Sequence, residues 1–194
     1  MNLAVENILD LIEISGEDRT IKALSAFSCP QNAEIENFLK FKAIDFAKQN
    51  LSVTYIVSDE QDGLILGYFT LAIKALEISK NSVSKSLGKR ISKFAVFDDK
   101  NDTYTVASFL LAQFGKNYGV ENGKRIDGNI LMKYAEMMIQ KIQHLIGVGL
   151  VYLDVESNNW NAIDLYTKNC HYSQFDERKS ASDGKDYIVM IKAI

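Results

Sequence analysis

Between Leu110 and Tyr166 the chain reads as strand, loop, helix, strand and helix in unbroken succession, and no other stretch restricts the fold as tightly. The pieces are LLAQFGKN, YGVENGKRIDG, NILMKYAEMMIQKIQHLIG, VYLDVE and NNWNAIDLYTKNC. Two strands joined through a helix do not make a hairpin. The connection is a crossover, which pairs the strands in parallel. The loop carries the basic pair Lys124-Arg125, contains glycine and opens directly into the helix. Backbone N–H groups and the helix dipole direct positive charge at that point, so the loop is a natural seat for an anion.

The rest of the chain supplies a sheet and its covering helices. Val5, Ile8, Leu9 and Ile12 recur at helical spacing and predict a short amphipathic helix, closed by Ser15-Gly16-Glu17-Asp18. Thr20–Phe27 reads as a strand. Pro30, the only proline, marks a break, and Asn32 is placed to cap a helix whose buried stripe is Ile35, Phe38, Leu39, Phe46 and Ala47. Val53–Val57 and Leu64–Ile78 are rich in β-branched and aromatic residues, and Asp59-Glu60-Gln61-Asp62-Gly63 joins them as a hairpin turn. Thr103–Phe114 and Val148–Val155 read as strands. The helix between them shows its core stripe at Ile130, Leu131, Tyr134, Met137, Met138, Ile142 and Leu145. Asn158–Asn169 is a short helix capped by Asn158 or Asn159, and Tyr187–Ile194 adds a last strand. With 194 residues, 47% of them hydrophobic, and no repeat or linker, the chain has material for one domain with a real core.

Composition narrows the function classes. The formal net charge of −3 gives no global attraction to nucleic acid or anionic membrane. The one polarised stretch is Ser79–Phe97, where Lys80, Lys85, Lys89, Arg90 and Lys93 occur with no acid among them. Cys29 and Cys170 lack metal-ligand spacing, and His144 and His171 form no paired motif, so no metal site is expected. Two thiols and no secretory leader fit a reducing, cytoplasmic setting. No apolar run approaches the ~20 residues of a membrane span. The Gly123-Lys124 pair does not make a P-loop: Tyr118 stands where its first glycine belongs, and Arg125 stands where magnesium needs Ser or Thr. No GxGxxG occurs.

A family likeness emerges at the C-terminal end of this stretch. After a strand ending Leu153-Asp154-Val155, the residues Asn159-Trp160-Asn161-Ala162-Ile163-Asp164-Leu165-Tyr166-Thr167-Lys168 have the form N-x-x-A-x-x-L-Y-x-K, which resembles the end of the GNAT acetyltransferase domain. Gly123 to Met132 resembles that family's pyrophosphate loop and following helix. Phe27-Ser28-Cys29, the helix with Ile35 and Phe38-Leu39, Thr54-Tyr55-Ile56-Val57, and Leu66-Gly67-Tyr68-Phe69-Thr70-Leu71 resemble the branch that includes toxin acetyltransferases of toxin–antitoxin pairs. The resemblance covers nearly the whole chain from about Thr20. The family pattern Q/R-x-x-G-x-G/A survives as Arg125-Ile126-Asp127-Gly128-Asn129-Ile130, with the arginine and one glycine kept. The loop from Tyr118 to Asp127 is longer than usual, and Cys170-His171 stands where the family has Gly-Phe.

The resemblance implies a mixed α/β (α+β) chain of GNAT-like fold, a single domain over 1–194 with one central twisted mixed sheet, helices on both faces and an N-terminal helical extension over 1–18. It implies an N-acetyltransferase that moves an acetyl group from acetyl-CoA, its co-substrate, to a primary amine by direct attack and without a metal. Tyr166 would be the general acid that protonates the CoA sulfur; the bland reading of the same residue is helix packing. Leu111, Ala112 and Gln113 would pair through their backbone with the pantetheine arm. Gly123, Lys124, Arg125, Gly128 and Asn129 would hold the pyrophosphate. Asn159 would bond the cofactor arm or simply cap its helix. Asp154 and Glu156 share a face of their strand and read either as bases or as solvated carboxylates. The run Lys80–Lys93 reads as a grip on the adenosine 3′-phosphate, as a contact to tRNA, or as a solvated connection. The branch implies a second acceptor, aminoacyl-tRNA, for a toxin-type enzyme. The rival from another class is a non-catalytic CoA-binding or structural protein of the same fold. The first helix would pack on its own domain or on a second subunit of a homodimer.

Overall fold

The computed structural model describes residues 2–181 and 184–194. In chain order the elements are β1 (Leu3–Asn7), α1 (Ile8–Ser15), α2 (Glu17–Ser25), α3 (Ala33–Phe41), α4 (Ala43–Lys48), β2 (Val53–Asp59), β3 (Ile65–Ser79), α5 (Lys85–Ile91), β4 (Val96–Asp98), β5 (Thr103–Lys116), α6 (Gly128–Ile146), β6 (Leu150–Glu156), α7 (Trp160–Asp164), β7 (Ser173–Lys179) and β8 (Asp186–Ala193). The strands form one mixed sheet in the order β1-β2-β3-β5-β6-β8-β7, with β4 paired to β5. The crossover through α6 leaves β5 and β6 parallel, as a helical connection requires. The pairs β1–β2, β2–β3, β4–β5, β6–β8 and β7–β8 are antiparallel.

The chain divides into two compact units. The first comprises Met1–Ala72 and Ala112–Ala135, the second Ile73–Leu111 and Glu136–Ile194. In the first, Ile8, Leu24, Phe27, Phe38, Leu39, Ile44, Ile56 and Tyr68 form the core, and the Tyr68 hydroxyl donates to the Ile35 carbonyl at 2.6 Å. A buried phenol with that partner removes no hydrogen bond from the fold. In the second, Leu76, Ile78, Ile91, Val106, Leu150, Tyr152, Val189 and Ile191 pack together. Ile91 belongs to α5, so the basic stretch is anchored by a helix with an apolar face. Ser84 caps that helix by accepting from the Leu87 N–H.

Several elements differ from their sequence reading. Residues 3–7 are a strand, β1, and the N-terminal helix begins only at Ile8, where the Asn7 side chain accepts from the Leu9 N–H at 2.9 Å. Val5 is therefore opposite Val57 in the sheet. Thr20–Phe27 is not a strand. Thr20, Leu24 and Phe27 are buried at spacings of four and three, the period of a helix, and α2 covers most of the segment. The helix capped by Asn32 is broken at Lys42 into α3 and α4. The core stripe of α6 is rotated from the expected one: Leu131, Met132, Ala135 and Ile139 are buried, whereas Ile130, Met137 and Leu145 are exposed. The edge strand β7 is an addition to the sequence reading.

Candidate functional site

The loop that opens α6 lies in the first unit and is built on Asn117. This side chain is 2% exposed. Its Nδ2 donates to the Ile65 carbonyl at 2.7 Å, and its Oδ1 accepts from the Ser28 N–H at 3.0 Å and the Gly119 N–H at 2.9 Å. The Tyr118 N–H donates to the Ser28 carbonyl at 2.7 Å. One buried amide thus ties the loop's first residues to the start of β3 and to the segment after α2, with its polar atoms satisfied. Gly123 then lies in the short turn Asn122–Lys124.

The loop's charged groups meet partners within the same unit. The Lys124 ammonium is 2.8 Å from the carboxylate of Asp62, in the β2–β3 turn. Each holds the other in its charged form, with the Asp62 carboxyl below and the Lys124 ammonium above its ordinary value through their mutual hydrogen bond. Arg125 donates to the Tyr118 carbonyl at 2.8 Å and the Val120 carbonyl at 3.2 Å, with its guanidinium 5.3 Å from the Tyr118 ring centroid. Its role in this arrangement is to brace the loop. Asp127 caps α6: its Oδ1 accepts from the Asn129 N–H at 2.8 Å and from the Asn129 side chain at 2.9 Å, and the Leu131 N–H donates to the Asp127 carbonyl at 3.0 Å. These bonds depress the Asp127 carboxyl. A carboxylate therefore already occupies the anion seat at the helix start, next to Gly128.

The second unit contains the parallel strand pair and Tyr166. The β5–β6 register consists of Phe109 opposite Val151 and Leu110 opposite Tyr152. It stops there, although β5 continues through Leu111, Ala112 and Gln113 to Lys116. On β6, Glu156 is engaged by Lys185 at 2.6 Å. Asp154 is the remaining carboxylate on that face; desolvation raises its pKa, and Arg178 opposes the rise. Asn159 accepts from the Ala162 N–H at 3.2 Å and caps α7.

After α7 the backbone widens into a π turn over Leu165–Asn169, closed by the Cys170 N–H donating to the Leu165 carbonyl at 3.1 Å. A π turn holds one more residue than an α turn. His171 has φ 59°, the left-handed conformation that glycine usually supplies, and Tyr172, buried, follows it.

Tyr166 itself is 7% exposed, and burial raises the pKa of its phenol well above the usual value. Its ring meets that of Tyr172 edge-on, with centroids 6.0 Å apart. The Lys192 ammonium lies 5.5 Å from the Tyr172 ring centroid and 2.6 Å from the Glu136 carboxylate. Sequence reasoning missed Asp62, Asn117 and Tyr172. The first two are distant in sequence from the groups they bind, and the third is hidden by the π turn. No group of His, Cys, Asp and Glu side chains suited to a metal ion occurs among the described residues. No helix among them is long and apolar enough to cross a membrane.

No protein-family model matches the chain, and no curated protein matches it. Solved structures do. A tyrosine-to-phenylalanine mutant of KacT aligns with a TM-score of 0.66 at 15% identity, covering 100% of this chain and 95% of that one. AtaT complexed with acetyl-methionyl-tRNAfMet aligns at 0.63 and 16% identity, covering 96% and 94%. AtaTR bound with AcCoA aligns at 0.58 and 14%, covering 99% and 93%. At these identities the likeness establishes the fold alone: one mixed sheet with flanking helices, shared with these structures.

Proposed function

We propose that this chain is an N-acetyltransferase, working as one domain over 1–194, that moves an acetyl group from acetyl-CoA to a primary amine by direct attack. The observation that carries the reading is the fold, which aligns from end to end with toxin acetyltransferases, AtaTR among them bound with AcCoA. The pantetheine arm pairs with the β5 backbone at Leu111, Ala112 and Gln113, where the bonds to β6 have ended, and one N–H of that strand polarises the thioester carbonyl. Gly123, Lys124 and Arg125, with the α6 start at Gly128 and Asn129, take the pyrophosphate; its oxygens replace Asp62 on Lys124 and Asp127 on the Asn129 N–H. Asn159 caps α7 with its oxygen and offers its amide nitrogen to the cofactor arm. The neutral amine attacks the carbonyl, and Tyr166 protonates the departing sulfur. Acetyl-CoA as donor implies a cytoplasmic enzyme.

The test is turnover. Thiol released from acetyl-CoA, together with acetylated product, is measured with a panel of amines and with aminoacyl-tRNA. Acetylated product supports the transferase. Acetyl-CoA bound but left intact identifies a non-catalytic CoA-binding protein, and no binding leaves a structural role.

A second reading, a toxin that acetylates aminoacyl-tRNA, is favoured by the region around α5. Lys85, Lys89 and Lys93 are exposed and make no ion pair among the described residues, and Phe94 and Phe97 are exposed beside them. Lys80, by contrast, is paired with Asp102 at 3.3 Å, and Arg90 donates to the Ala193 carbonyl. Free cations beside the exposed Phe94 suit a flexible RNA end, whereas the Phe97 ring already meets the Lys80 ammonium at 5.2 Å and the Tyr104 ring at 4.8 Å. AtaT has been solved with acetyl-methionyl-tRNAfMet. Growth arrest on expression, relieved by Tyr166→Phe, is the expected sign. Unimpeded growth with active enzyme points to another amine.

A further inference from the structure

The Tyr172 hydroxyl is buried and has no hydrogen-bond partner among the described residues, in a side chain 4% exposed. An orphaned buried hydroxyl destabilises a fold. A phenylalanine would fill the same space without it. The position is otherwise tightly determined. The Tyr172 N–H donates to the Tyr166 carbonyl at 2.9 Å, which locks the two residues together across the π turn. The rings meet edge-on at 6.0 Å between centroids. The Tyr172 ring also meets the Lys192 ammonium, 5.5 Å from its centroid and itself held by Glu136. Cys170 is the remaining titratable group of this cluster, and it too is buried.

We propose that Tyr172 is a positioning residue for the transfer reaction, whose hydroxyl supports Tyr166 after Tyr166 has given up its proton. The inference rests on the transferase reading. When the tetrahedral intermediate collapses, the C–S bond breaks and the sulfur leaves with the electron pair. It takes the Tyr166 phenol proton, so an S–H bond forms and an O–H bond breaks. The phenolate left behind is in a buried site with little water to solvate it. The Tyr172 O–H donates a hydrogen bond to it, directly or through one water, until the proton lost by the attacking amine returns to Tyr166. Protons and charges then balance over the cycle. The Tyr172 hydroxyl lacks a partner in the resting arrangement because its acceptor appears only during turnover. A hydrogen bond to a charged group is worth enough to change a rate by about tenfold to a hundredfold.

The test is Tyr172→Phe, assayed as thiol release from acetyl-CoA with methionyl-tRNA, with spermidine and with water alone as acceptors, alongside thermal unfolding. The expected result is a kcat lowered at least about tenfold, an unchanged KM for acetyl-CoA, and a melting temperature equal to or above that of the parent. In a Tyr166→Phe background the second substitution should add nothing, because its effect acts through Tyr166. Tyr172→Leu removes the ring as well as the hydroxyl, so its difference from Tyr172→Phe reports packing. An unchanged kcat for Tyr172→Phe overturns the inference, as does a loss that persists undiminished in the Tyr166→Phe background or tracks a lowered melting temperature. Absence of thiol release by the parent protein with all three acceptors overturns the transferase reading beneath it, a separate and recognisable failure.

Discussion

Burial acts on Tyr166 in two ways. Desolvation disfavours the phenolate, which keeps the phenol protonated and also makes it a weaker acid that needs support once its proton has left. The donor form is present below the raised pKa and is lost only above it. In the transferase account, kcat therefore has no falling alkaline limb from Tyr166 below about pH 10, the ordinary phenol value. Tyr166→Phe should lower kcat by about a hundredfold or more with little change in KM for acetyl-CoA, which steady-state kinetics of the two proteins would show. The loop residues make a prediction of opposite sign. Lys124 is committed to Asp62 at 2.8 Å, and an incoming phosphate must compete with that carboxylate. Asp62→Asn removes the competitor, so acetyl-CoA should bind several-fold more tightly at low salt, with the gain vanishing as salt is added; a titration at two ionic strengths measures it.

At the scale of elements, close approach and turn geometry set the tolerances. A Cβ on Gly67 of β3 would lie 2.9 Å from the Gly115 carbonyl oxygen of β5 and 3.0 Å from a Leu131 methyl of α6. Gly67→Ala should cost about 1–3 kcal/mol, read from denaturant unfolding. His171, at φ 59°, is held in a conformation that a β-carbon disfavours, so His171→Gly should be neutral or raise the melting temperature. Elements whose period matched their burial were legible in the sequence. Val53–Val57 and Val148–Val155 fall inside β2 and, but for two residues, β6, and Asn32 caps α3 through the Glu34 and Ile35 N–H groups. The failures have physical causes. Thr20–Phe27 contains enough apolar residues to look strand-like, and only the four-and-three burial spacing separates it from a strand. Strand β7, SQFDERK, is largely charged because it lies at a sheet edge with β8 as its partner, where charge discourages further pairing. Its existence depends on that partner rather than on its own pattern. The π turn inserts one residue into a helix without altering composition, so it was invisible in the sequence pattern. The Asp62–Lys124 pair joins residues that no local pattern connects.

At the scale of the whole molecule, three elements run from one compact unit into the other: β3 passes at Ala72, β5 at Leu111 and α6 at Ala135. Melting either unit would break elements that the other depends on. A single cooperative transition is therefore expected, with calorimetric and van't Hoff enthalpies in agreement; two resolved transitions would mean that the units unfold independently. The chain's net charge of −3 leaves any attraction to RNA to a local feature, the α5 region with Lys85, Lys89 and Lys93. Both functional readings nevertheless share one requirement, a seat for acetyl-CoA built on the loop after β5. The most direct measurement is calorimetric titration of acetyl-CoA into the parent protein and into Lys124→Ala/Arg125→Ala. Micromolar binding that the double substitution weakens strongly, with the melting temperature preserved, is the predicted result. No detectable binding by a folded parent protein, or binding that the substitutions leave unchanged, would contradict the account.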